Sequence, residues 1–147
     1  LFWAGHRQFS LRRLYIEHIE TLLGLDLNQT FSQEEYVHAL GDSRIGLNIY
    51  GFGYDTVRYW ELPAHGCMLL AERLPIAVPH NFVDGTSAVF YDDLGELEQK
   101  LLYYIERPEE TQAIAQAGHE HLKKYHSGTA RAKQFLAWLQ PYLPTST

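Results

Sequence analysis

Cysteine is nearly absent: Cys67 stands alone among 147 residues, so no disulfide can form within the chain. That fits a reducing compartment and makes the cytoplasm the expected location. Long hydrophobic runs are missing too. None approaches the roughly 20 residues that crossing a bilayer takes, so no transmembrane segment is expected. Basic residues are in deficit, with 12 Lys and Arg against 18 Asp and Glu and a formal net charge of −6. That balance argues against a broad surface for nucleic acid. Internal repeats, linkers and low-complexity segments are lacking, and only the tail "PTST" (144–147) reads as loose. There is no initiating methionine. The chain opens "LFWAG", strand-like from its first residue, and reads as a fragment whose upstream portion is missing.

What is present is enough for one domain with a real core. The hydrophobic share of 46% and the aromatic share of 14% are too high for a disordered chain. "LFWAG" (1–5) predicts a short buried strand, and "LDL" (25–27) a second. "RIGLNIY" (44–50), "CMLLAE" (67–72) and "AVFY" (88–91) predict three more, the last after the turn "DGTS". Between them, Leu11, Leu14, Tyr15, Ile19, Leu22 and Leu23 recur near helical spacing and stop at Gly24. Ser32 with Glu35 forms a capping box for "SQEEYVHAL" (32–40). Beyond residue 93 the chain reads as three helices: 94–106, one opened by Pro108, and one capped by Ser127. Strands alternating with helices predict an α/β fold: a Rossmann-like parallel sheet of about five strands, helices on both faces, and a C-terminal helical cluster.

Parallel sheets of this kind bind ligands at the carboxyl ends of their strands, which directs attention to "YGFGYDT" after "GLNIY". Gly51 and Gly53 would free the backbone for positive φ and close ligand approach. Asp55 or Thr56 would cap the following helix, whose first-turn N–H groups suit a phosphate, with Tyr54 a candidate to stack on the ligand. Arg58 lies in that turn and can add a guanidinium fork to the same anion. Glu61 lies about six residues into that helix, roughly 9 Å along the axis from its start, a suitable reach from a pyrophosphate to its ribose hydroxyls. A surface reading stands beside this one: Arg58 and Glu61, three apart, would then be an exposed ion pair worth a few tenths of a kcal/mol. Tyr54 would then be plain exposed surface.

The order of these motifs resembles the C-terminal half of GT-B glycosyltransferases, closest to the spore-maturation type. The resemblance rests on Arg58 with Glu61 and the Gly66 turn into "CMLL". It continues through Phe82, Asp84 and Gly85 in "FVDG", then Asp93, Glu96 and Leu97. Pro108 to Glu110 follow, then Ile114, Ala115 and Gly118, then His126, Ser127 and Arg131. It covers about residues 36 to 140, with "WAGHRQFSLRR" similar to the glycine–arginine entry of the same half. The resemblance implies a hexosyltransferase whose donor is a nucleoside-diphosphate sugar, UDP-linked by expectation, with no obligatory cofactor or metal. It implies that this half holds the nucleotide while a missing N-terminal domain holds an unknown acceptor, so the fragment alone would be inactive. Glu61 would bind the ribose; Arg58, the backbone of Tyr54, Asp55 and Thr56, and Arg7 would lie near the diphosphate. Retaining GT-B enzymes often carry a glutamate eight residues before the ribose glutamate. That position is Gly53, with Asp55 the nearest acid, so the stereochemical outcome and the catalytic residues stay open.

Eight histidines do not add up to a metal site. His119 and His121 are two apart on a helix and face different ways, and no zinc-type spacing occurs. His65 reads as packed or capping, Cys67 as core rather than nucleophile, and Tyr103, Tyr104 and Trp138 as core or interhelix packing. Two alternatives remain beside the glycosyltransferase: a nucleotide-sugar epimerase of the same architecture, and a non-catalytic module binding sugar nucleotides or a partner.

Overall fold

The computed structural model describes residues 1–143, so the tail "PTST" lies outside the described residues. Three strands, β1 (Ile45–Asn48), β2 (Met68–Glu72) and β3 (Val89–Tyr91), form a sheet in the order β1-β2-β3. Both pairings are parallel, Ile45 opposite Met68 and Leu70 opposite Val89. Every residue of the three strands is buried, as expected where both faces are covered. Along β2, Met68 and Leu70 join one core cluster and Leu69 and Ala71 the other, following the two-residue alternation of a strand.

The first cluster packs Tyr15, Ile16 and Ile19 of α1 (Ser10–Leu23) and Leu97 and Leu101 of α4 (Leu94–Ile105) on the sheet. The second packs Leu40 of α2 (Gln33–Gly41) and Tyr59 and Leu62 of α3 (Val57–Ala64), with Phe82 from the loop before β3. α5 (Pro108–Tyr125) reaches both: Ile114 and Ala115 join the first cluster, and Leu122 packs against the second. α6 (Gly128–Leu139) contributes no buried residue.

Helix ends follow the local signals. Ser32 and Glu35 make both bonds of the capping box. Gly24 closes α1 at φ 63°, Pro108 opens α5, and the Ser127 hydroxyl accepts from Ala130 N–H.

The sheet has three strands, not about five. At the N-terminus, pairing is one residue deep: Phe2 N–H donates to Ile45 O and Leu47 N–H to Phe2 O. The chain then leaves for α1, where Arg7 pairs with Glu20. At "LDL" the backbone donors a ladder would use are taken by carboxylates. Leu27 N–H donates to Glu20 Oε1 at 2.8 Å and Asn28 N–H to Asp26 Oδ1 at 2.8 Å.

The buried stripe of α1 is also rotated from the expected one. Arg12, Tyr15, Ile16 and Ile19 face inward while Leu11 and Leu14 are exposed. Nor are Tyr103 and Trp138 core: both are exposed, and the Tyr103 ring instead carries the Arg107 guanidinium 3.8 Å from its centroid.

Candidate functional site

The carboxyl end of β1 runs through Ile49 and Tyr50 into the loop 51–56 and then α3. Gly51 does not adopt positive φ; its function is spatial. A Cβ there would lie 2.6 Å from Arg12 Nη2, so glycine leaves room for the arginine beneath the loop and a larger residue would have to move the guanidinium. Arg12, on the inward stripe of α1, donates from Nη2 to Ile49 O at 2.9 Å and from Nη1 to His6 O at 3.2 Å. It thereby joins the loop after β1 to the segment before α1. Gly53 also lacks positive φ, and a Cβ there would meet only open space, so neither conformation nor contact requires glycine at that position.

Neither expected side chain caps α3. Thr56 is the N-cap residue, but its hydroxyl donates to Asn48 Oδ1 at 2.6 Å. Asp55 accepts from Trp60 Nε1 at 2.7 Å. The first-turn N–H groups of α3 are therefore left without a side-chain acceptor. Asn48 Nδ2 is buried and has no partner, and neither has Arg12 Nε.

Arg58 rises from the same turn and lies against Gly5, where a Cβ would sit 3.4 Å from both its terminal nitrogens. Among the described residues no ion pair engages it, and the expected Arg58–Glu61 bridge is not made. Burial lowers the Arg58 pKa, with Tyr36 and Glu61 opposing. Burial and then the like charge of Arg58 lower that of Arg12. A net-acidic chain thus holds two close, unneutralised guanidiniums beside an uncapped helix start, a concentration of donors suited to an anion.

Glu61 is half-buried one turn further along α3. Its Oε2 accepts from Tyr36 of α2 at 2.7 Å. Tyr54 is partly exposed and meets Tyr50 edge-on at 5.0 Å. Arg7 is placed elsewhere: its Nη1 donates to Glu20 at 2.9 Å and its guanidinium lies over the Trp3 ring. The arginine that reaches the loop after β1 is Arg12, whose sequence signal was its place on the stripe shared with Tyr15, Ile16 and Ile19.

Glu72 also went unremarked in the sequence. It ends β2 at 8% exposure, beside Tyr15, Tyr50 and Tyr91, with Oε2 unpartnered. Burial pushes its carboxyl up to about 7, opposed by the Tyr50 backbone amide. An acid closing a strand with no solvent on either face was the available clue.

The histidines act as local ties. His65 Nδ1 lies 2.9 Å from Glu61 O, and His119 Nδ1 lies 2.9 Å from Pro63 O. His121 and His126 converge on His80 O at 2.8 and 2.7 Å. The Cys67 thiol donates to Leu40 O and is pushed up to about 11 by burial, which keeps it protonated and unreactive.

No curated protein matches the chain. The model of a family described as glycosyl transferase-like matches residues 7–137, from Arg7 through most of α6 and so across the whole sheet, α3 and the loop before it. The chain belongs to the glycosyl transferase-like family.

Proposed function

We propose that this chain is the donor-binding half of a GT-B glycosyltransferase of the spore-maturation type. In this reading it holds a nucleoside-diphosphate sugar, with UDP the expected nucleotide, for hexosyl transfer to an acceptor held by a separate N-terminal domain. The observation that carries the reading is the pair of unneutralised guanidiniums, Arg12 and Arg58, beside the uncapped start of α3. A diphosphate leaving group accumulates negative charge as the glycosidic bond breaks. Fixed cations and N–H dipoles aimed at that charge lower the barrier without reorganising. With two arginines supplying positive charge, an obligatory metal is not part of the proposal.

Glu61 lies about 8 Å from the helix start, the span from a diphosphate to its ribose. Its carboxylate accepts from vicinal hydroxyls there. Tyr54 and the backbone of Gly53, Asp55 and Thr56 border the phosphates, while Arg7 is held by Glu20. Acceptor groups and water exclusion come from the other half of the cleft, so residues 1–147 alone bind donor without transferring sugar. The lone buried thiol of Cys67 agrees with a cytoplasmic setting.

Titration of wild type and Glu61→Gln with UDP, GDP and dTDP tests this reading. The substitution replaces one acceptor oxygen by an amide donor. Loss of a charged hydrogen bond of roughly 1.5–3 kcal/mol corresponds to about ten- to a hundredfold in affinity, with the thermal melt unchanged. Equal affinities for both proteins would leave Glu61 a partner of Tyr36 with no part in binding the ribose.

A further inference from the structure

We propose that Tyr36 is a positioning residue, holding the Glu61 carboxylate open for a ribose cis-diol and away from Arg58. The inference rests on the donor-binding reading above and adds a residue from a different element. Tyr36 lies 25 positions before Glu61, and its hydroxyl donates to Glu61 Oε2 at 2.7 Å. The ring cannot wander: it meets Phe2 edge-on at 5.4 Å and Phe31 at 6.4 Å, on a helix whose start is fixed by the Ser32–Glu35 capping box. The phenol is therefore a rigid donor aimed at one carboxylate oxygen. Burial, then the hydrogen bond to Glu61, push its pKa up to about 12, so it donates throughout the physiological range.

Two consequences follow from the geometry. The bonded oxygen keeps a second lone pair and the other oxygen keeps both, so the anchored carboxylate still has acceptors for two adjacent hydroxyls. Arg58 belongs to the same group, its charge favoured by both Tyr36 and Glu61. A Glu61 freed from the phenol would turn to that guanidinium, the natural i,i+3 partner, and neutralise a cation assigned to the phosphates. Tyr36 thus serves both parts of the ligand: it orients the ribose acceptor and keeps Arg58 available.

Tyr36→Phe keeps the ring and its packing while deleting only the hydroxyl. The test measures the affinity of wild type, Tyr36→Phe, Glu61→Gln and the double variant for UDP and 2′-deoxy-UDP, with thermal melts alongside. Tyr36→Phe is expected to weaken UDP binding about three- to tenfold. It should also lower the preference for UDP over its 2′-deoxy analogue, and add little when Glu61 is already glutamine. A packing role alone would shift the melt and leave the UDP to 2′-deoxy-UDP ratio unchanged, which overturns the proposal. A Glu61→Gln that weakens binding beside a silent Tyr36→Phe overturns the positioning role only. A silent Glu61→Gln overturns the ribose role of Glu61, and this inference with it; a wild type that binds no nucleoside diphosphate overturns the donor reading itself.

Discussion

Three polar side chains at the carboxyl edge, Arg12, Asn48 and Glu72, are buried yet incompletely bonded. A buried polar atom without a protein partner costs stability unless a water or a ligand completes it. Glu72 gives the sharpest consequence. Its folded pKa, near 7, stands above the ordinary carboxylate value, so the folded state holds the proton more tightly than the unfolded chain does. The stabilisation is complete below about pH 4.5, falls as pH rises, and is gone above about pH 7. The difference is on the order of 3 kcal/mol. Glu72→Gln, which cannot ionise, should melt above wild type at pH 8 and near it at pH 4.5. Melting curves of the two proteins across that range check the sign; a parallel pH dependence would show that folding does not shift the Glu72 carboxyl from its ordinary value.

At the scale of elements, the placement of α3 decides the site, because Arg58 and Glu61 both ride on it. That placement depends on Gly46 in β1: a Cβ there would fall 2.1 Å from Leu62 Cδ2. Gly46→Ala therefore has to displace the buried Leu62 side chain, and with it the seat of α3. Such overpacking costs about 1–3 kcal/mol. Nucleotide affinity should fall as well, although residue 46 lies on the opposite side of α3 from solvent. Denaturant melts with nucleotide titration check both, and unchanged affinity at lowered stability would separate the seat of α3 from the binding groups. A similar close approach holds α5, where a Cβ on Gly118 would meet the Ser87 carbonyl oxygen at 2.5 Å. Helix ends were legible because caps are local: Ser32, Gly24, Pro108 and Ser127 each act within a turn of their own position. Strand status was not. "LFWAG" and "LDL" have strand-like sequences, but a strand exists only through a neighbour, and Glu20 takes the Leu27 N–H that pairing would require.

Across the whole molecule the burden of stability is uneven. Two clusters sandwich the sheet, whereas α6 buries nothing and leaves Phe135, Leu136 and Trp138 exposed. Its ties to the rest include Gln134 Nε2 to Tyr125 O at 3.0 Å and Arg131 over the Trp60 ring. Ending the chain at Ser127 should therefore cost only about 1 kcal/mol, a melting shift of a few degrees. A collapse of the thermal transition in differential scanning calorimetry would mean that α6 holds more of the fold than its burial indicates. Among the described residues no helix is long and apolar enough to cross a membrane. The sequence by itself determined the α/β class, most helix termini and the place of the helix carrying Arg58 and Glu61, because periodicity and chain-breaking residues act over a few positions. Tertiary structure alone decided that Arg12 rather than Arg7 reaches the loop, that Thr56 is drawn to Asn48, and that Glu61 bonds Tyr36 rather than Arg58. Those partners lie 8 to 37 positions apart or compete for one side chain, and only packing sets which of the competing contacts is made.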